Sequence, residues 1–96
     1  MAAYLIADID SIHDQASYDA YRKDVLGIIQ QHGGRFLVRG GKTETMEGGW
    51  KPGRFVVVEF PDFATAKKFY DSPAYQKILP LRLNASKGRA IIVEGA

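Results

Sequence analysis

The sequence predicts an α+β domain in which one four-stranded antiparallel sheet carries its helices on a single face. Three observations lead there. Short apolar stretches at residues 4–9, 35–39, 54–60 and 89–94 alternate with segments whose apolar residues recur at helical spacing. The resulting order, βαββαβ, is broken by no repeat, low-complexity tract or linker. Finally, 96 residues, 46% hydrophobic and 25% charged, make one domain over residues 1–96 with no chain left for a second core.

The first strand, Tyr4 to Ile9, is apolar except for Asp8. Asp14 can cap the next segment, where Tyr18, Tyr21, Val25, Ile28 and Ile29 form one helical stripe between Ser17 and His32. Gly33-Gly34 ends that helix, because glycine accepts the left-handed backbone a helix terminus often needs. Arg35 to Arg39 is the second strand. A polar loop follows, containing Trp50 and five glycines, Gly40, Gly41, Gly48, Gly49 and Gly53. Arg54 to Phe60 is the strongest strand in the chain. Pro61 stops it, and Asp62 caps a helix with Phe63, Ala66 and Tyr70 on one face. Ser72-Pro73 starts a short helix around Tyr75 to Leu79, expected to meet Pro80 and continue irregularly to Lys87. Arg89 to Glu94 is the last strand. Two right-handed βαβ-type units in this order give a ferredoxin-like sheet, spatial order 4-1-3-2, with one face uncovered.

Strand side chains alternate between the two faces. In the third strand Val56, Val58 and Phe60 oppose Phe55, Val57 and Glu59; in the first, Leu5, Ala7 and Ile9 oppose Tyr4, Ile6 and Asp8. In the second, Phe36 and Val38 oppose Arg35, Leu37 and Arg39. The purely apolar sets belong under the helices. The open face then carries Tyr4, Ile6, Asp8, Leu37, Phe55 and Val57, with Arg35, Arg39 and Glu59. Exposing it would leave an apolar patch on the order of several hundred Å², the mark of an interface, and two such sheets packed face to face remove it. A homodimer through this face is expected. Taking the first and third strands as parallel places Asp8 and Glu59 near the same end, Arg35 beside Glu59 and Arg39 beside Phe55. Two carboxylates and an arginine so placed make an acid–base site. They serve equally as a structural ion-pair cluster at the rim of the joined sheets.

Several function classes are disfavoured. The net charge of +2 is small, and the thirteen Lys and Arg are scattered rather than clustered for a nucleic acid. RNA-recognition modules share this element order, but the third strand offers only Phe55 for base stacking, followed on that face by Val57 and the acid Glu59. With no cysteine there is no disulfide, thiol nucleophile or thiolate metal site. His13 and His32 are the only histidines and belong to no ligand cluster; no metal and no cofactor are expected. Gly41-Lys42-Thr43 looks like the end of a phosphate loop, but Phe36 stands where that loop needs glycine. No stretch is apolar enough to span a bilayer, so no membrane partner and a cytoplasmic location are expected.

Several segments together resemble one family. They are Gly33-Gly34-Arg35-Phe36-Leu37-Val38-Arg39-Gly40-Gly41, Glu47-Gly48 with Trp50, and Glu59-Phe60-Pro61. Phe69-Tyr70-x-Ser72-Pro73-x-Tyr75-Gln76, Leu81-Arg82 and Val93-Glu94-Gly95 complete the pattern. The family is the domain of unknown function 1330, and the likeness runs along essentially the whole chain. It implies the dimeric α+β barrel, in which two ferredoxin-like units join by their sheets. Relatives by fold include cofactor-free monooxygenases, lactone isomerases and haem-degrading enzymes, but fold alone transfers none of those activities.

The functional expectation is a small-molecule enzyme or binder with its site inside the dimeric barrel. Asp8 and Glu59 are the acid–base candidates. Tyr4, Arg35, Arg39, Tyr75 and Arg82 are the ligand-binding candidates, the arginines for anions and Tyr4 as a donor. A salt bridge from Arg82 to Asp8 or Glu59 is the bland alternative for that residue. Trp50 is expected as a lid over a pocket or as a plug against the partner subunit. The rival for the whole chain is a non-catalytic homodimeric module whose polar face residues only fix the pairing register.

Overall fold

The computed structural model describes all 96 residues. The chain runs β1 (Ala3–Ile12), α1 (Gln15–Gln31), β2 (Arg35–Arg39), β3 (Arg54–Phe60), α2 (Phe63–Asp71), α3 (Pro73–Leu83) and β4 (Ser86–Glu94). β2 and β3 have the predicted bounds. The four strands form one sheet in the order β2-β3-β1-β4, antiparallel throughout, as the element order requires.

Local chemistry sets the helix ends. The Asp14 carboxylate accepts from the Ser17 backbone N–H at 3.1 Å, and Asp62 accepts from that of Thr65 at 2.7 Å. At the end of α1, Gly33 turns out at φ +74°, and the Gly33 and Gly34 N–H groups donate to the carbonyls of Gln30 and Ile29. This closes the helix and satisfies two of its last carbonyls. Ser72 both ends α2 and caps α3, and Pro73 fills the first turn of α3, where no N–H is needed.

α3 differs from expectation. It continues through Pro80 to Leu83 as a single helix. An interior proline removes a hydrogen bond and costs about 3 kcal/mol. Packing offsets that: Tyr75, Ile78, Leu79 and Arg82, at the spacing of one helical face, are all buried. In α2 the buried face is Ala66 and Phe69 with Tyr70 packed beside them, while Phe63 is exposed.

The helices cover one side of the sheet. Val25, Ile28 and Ile29 of α1, Phe69 of α2 and Tyr75, Ile78 and Leu79 of α3 pack on Ala3, Leu5, Val58 and Phe60. The whole is 35 × 33 × 17 Å, and 17 Å is room for a sheet and one helical layer only. The opposite face of the sheet is therefore open. Leu37 and Val38 of β2 and Ile91 and Val93 of β4 are exposed, flanking Ile6 and Val57.

Two sheet details correct the sequence reading. β1 and β3 pair antiparallel, with Tyr4 opposite Glu59 and Asp8 opposite Phe55. Because β3 enters between β1 and β2, it runs against both. β2 also carries an irregularity: Phe36 faces Val58, but Val38 faces Val57 and Arg39 faces Val56. The extra residue, Leu37, shifts the alternation by one, so Val38 moves to the open face and Arg39 to the helix side.

Candidate functional site

The two carboxylates expected together lie apart. Four residues of strand separate their positions, about 13 Å at the usual rise per residue. Each is engaged within the chain. Asp8 is 3% exposed, although it faces the open side of the sheet. One of its oxygens accepts from the Trp50 indole N–H at 3.0 Å and the other from the Gly53 backbone N–H at 2.9 Å. Gly53 can approach so closely only because it lacks a side chain: a Cβ there would stand 2.1 Å from the Ile9 carbonyl oxygen. Trp50 stacks edge-on against Phe55, with ring centroids 5.7 Å apart. The loop between β2 and β3 is thus folded back on its own sheet and tied there by Asp8.

At the other end, Glu59 accepts from the Arg35 Nε at 2.7 Å, the pairing the sequence predicts. Tyr4 is the cross-strand neighbour of Glu59 on β1. Of the open-face candidates, the structure brings together Tyr4, Arg35 and Glu59, and separates them from Asp8.

A cavity of about 50 Å³ lies on the other side of the sheet, between it and the helices. That is about a third of the roughly 150 Å³ that encloses a benzene ring, so it takes a small polar group whole and a ring only in part. Of its eighteen lining residues fourteen are hydrophobic and four are arginines: Arg22, Arg39, Arg54 and Arg82. No carboxylate or histidine lines it. β1 and β3 supply Leu5, Ala7, Ile9, Val56 and Val58 as the apolar floor, and α1 and α3 supply Tyr18, Tyr21 and Tyr75. Ala90 of β4, exposed, stands at its rim.

The polar end of the cavity is a pair of tyrosines beside an arginine. The Tyr21 and Tyr75 hydroxyls lie 2.8 Å apart, one donating to the other. Arg82, 7% exposed, lies with its guanidinium carbon 5.6 Å from the centre of the Tyr21 ring. Burial raises the Tyr21 pKa well beyond the usual phenol range, and Tyr75 adds to this against the opposing pull of Arg82. Burial works against the charge on Arg82, but the Tyr75 and Tyr21 oxygens beside it outweigh that and raise its pKa. The group therefore offers hydrogen-bond donors: a guanidinium and the one hydroxyl proton not used between the tyrosines.

Arg82 and Tyr75 were both candidates, and they meet here rather than at a mouth shared with Asp8 or Glu59. No carboxylate lies within 4.0 Å of Arg82, so the alternative of a salt bridge to Asp8 or Glu59 does not form. Arg39, expected beside Phe55, lines the cavity instead and sits 4.5 Å over the Phe36 ring. Tyr21, Arg22 and Arg54 were missed. Arg54 shares the strand parity of Val56, and Tyr21 falls on the apolar stripe of α1, where a tyrosine reads as core. His13 and His32 bond the carbonyls of Asn84 and Ile28, the helix-end role ordinary for such residues.

The geometry is that of a ferredoxin-like α+β unit with an uncovered sheet face and a cavity under its helices. The chain belongs to the family called domain of unknown function 1330, whose model matches residues 2–96. None of the curated protein sequences is significantly similar to it. Among solved structures, a protein of unknown function from Rhodopseudomonas palustris aligns over 99% of this chain and 82% of its own, with TM-score 0.77 and 16% identity. A dimeric ferredoxin-like protein of unknown function from Jannaschia covers 99% of this chain and 100% of its own, at TM-score 0.64 and 11% identity. SnoaB, a cofactor-independent oxygenase from Streptomyces nogalater, covers 99% of this chain and 92% of its own, at TM-score 0.62 and 9% identity. At such identities the likeness is one of fold.

Proposed function

We propose that the chain is a small-molecule enzyme or binder whose ligand occupies the cavity between the sheet and the helices of each subunit. The observation that carries this reading is an apolar cavity that ends on Tyr21, Tyr75 and Arg82 and contains no acid. An apolar wall with a few convergent polar groups is the usual form of a ligand pocket. Donors held in place by packing, in a site of low dielectric, stabilise negative charge on a ligand oxygen. No group lining the cavity is a base at neutral pH. Turnover would thus need a substrate that has already lost its proton to water, its anion held by Arg82 and a tyrosine hydroxyl. The description of one fold relative as a cofactor-independent oxygenase is compatible with such chemistry.

The active unit in this reading is a homodimer joined through the open sheet face, with the dimeric fold relatives as support. The lack of cysteine fits a cytoplasmic location. One observation favours the rival, a non-catalytic dimeric module: Asp8 and Glu59 are both committed to contacts within the chain.

The test is an NMR titration of the isotope-labelled protein with a panel of single-ring compounds. Shifts confined to amides around Tyr21, Tyr75 and Arg82, lost when Ala7→Leu fills the floor, are the expected result. Shifts mapping to Tyr4, Val57 and Ile91 instead, or no binding by any compound, would overturn the proposal.

A further inference from the structure

The charge of the cavity goes beyond its shape. All four charged residues lining it are arginines. Arg22 has a distant partner, Asp19, at 3.8 Å on the surface. Arg39, Arg54 and Arg82 have no carboxylate within 4.0 Å. The Nε atoms of Arg22 and Arg54 are buried without any hydrogen-bond partner. Arg82 is 7% exposed, and its nearest polar neighbours are two neutral hydroxyls.

Burying a charge without a counter-charge is costly, and so is leaving a buried donor unpaired. The aromatic rings under Arg39 and Arg82 offset only part of that. Cavity walls of low dielectric concentrate the summed field of the cations on the space they enclose. An anion entering that space relieves the desolvation and fills the unused donors together. A guanidinium presents two parallel N–H groups, the match for a carboxylate. The apolar floor sets the rest of the molecule: a volume too small to enclose a ring leaves the ring at the open rim, near the exposed Ala90 and Arg39.

Accordingly, we propose that the ligand is a small ring-containing carboxylate, its acid group held by Arg82 and drawn in by the more exposed Arg39 and Arg54. This rests on the cavity being the ligand site. It adds that the site selects for charge. Arg82 holds the acid group at the closed end, next to the tyrosine pair.

Calorimetric titration of the full chain with benzoate and with benzamide, near-isosteric and differing in charge, tests this. Benzoate is expected to bind about tenfold or more tightly than benzamide, the scale of one charge-assisted hydrogen bond. Arg82→Gln is expected to abolish the preference, weakening benzoate far more than benzamide, and Arg82→Lys to restore part of it. Should Arg82→Gln fail to fold, Arg54→Gln and Arg39→Gln decide, each expected to weaken benzoate by severalfold and benzamide by less. Equal affinities for the two compounds would overturn the charge selection and leave the cavity standing. Binding of neither would remove both proposals. A benzoate preference untouched by any of the arginine substitutions would place its site elsewhere and overturn the assignment.

Discussion

Asp8 shows how a residue that reads as catalytic can be a fastener. A lone acid in an apolar strand attracts suspicion, because burying it needs a reason. The reason here is local: its two oxygens take up the Trp50 and Gly53 N–H groups and pin the loop from Gly40 to Gly53 to the sheet. Removing the acceptor leaves two donors without partners. Asp8→Ala is therefore expected to cost about 3 kcal/mol in urea unfolding, from two charge-assisted bonds that do not add fully. Asp8→Asn, which keeps one acceptor, costs less. Trp50 is the sole tryptophan, so its emission reports the loop, and a red shift in Asp8→Ala is expected before global unfolding. Arg82 taught the reverse lesson. Its interest was legible at residue level, but its destination was not. Tyr75, Ile78, Leu79 and Arg82 carry the i, i+3, i+4, i+7 signature of one buried helix face, and the proline between them hid it.

At the scale of elements, caps and stops were readable because they are written in neighbouring residues. Asp14, Asp62 and Ser72 each cap the helix expected of them. Direction and register were not, since they depend on which strand lies beside which. The irregularity at Leu37 has no marker in Arg-Phe-Leu-Val-Arg, yet it decides on which face Arg39 emerges. Deleting Leu37 removes the extra residue and leaves Val38 opposite Val57 and Arg39 opposite Val56, so Arg39 is expected to stay on the helix side. The expected outcome is a folded protein, changed in stability by about 1–3 kcal/mol, that keeps its arginine-dependent ligand preference. Loss of that preference by the deletion variant in the same titrations would show that Arg39 depends on the irregularity itself and not only on strand parity.

For the molecule as a whole, the sequence was right that one face of the sheet is uncovered and largely apolar, and incomplete about what composes it. Ile91 and Val93 extend the patch onto β4, at 60% and 40% exposure. If two copies join there, Ile91→Glu sets like charges near each other in the interface and is expected to yield a monomer. Sedimentation equilibrium checks this, the unsubstituted chain running at twice the chain mass and the variant at the chain mass. Cavity binding in that monomer separates the two roles of the sheet, since the cavity is built from a single subunit.

That separation has a genetic side. On β3, Val57 belongs to the open face, while Val56 and Val58 line the cavity. On the proposed reading, adjacent codons answer to different demands, one to a partner molecule and the next to a ligand. Seven residues of strand would then carry two independent vocabularies interleaved letter by letter, and descendants of one ancestor could change what they bind while keeping how they assemble.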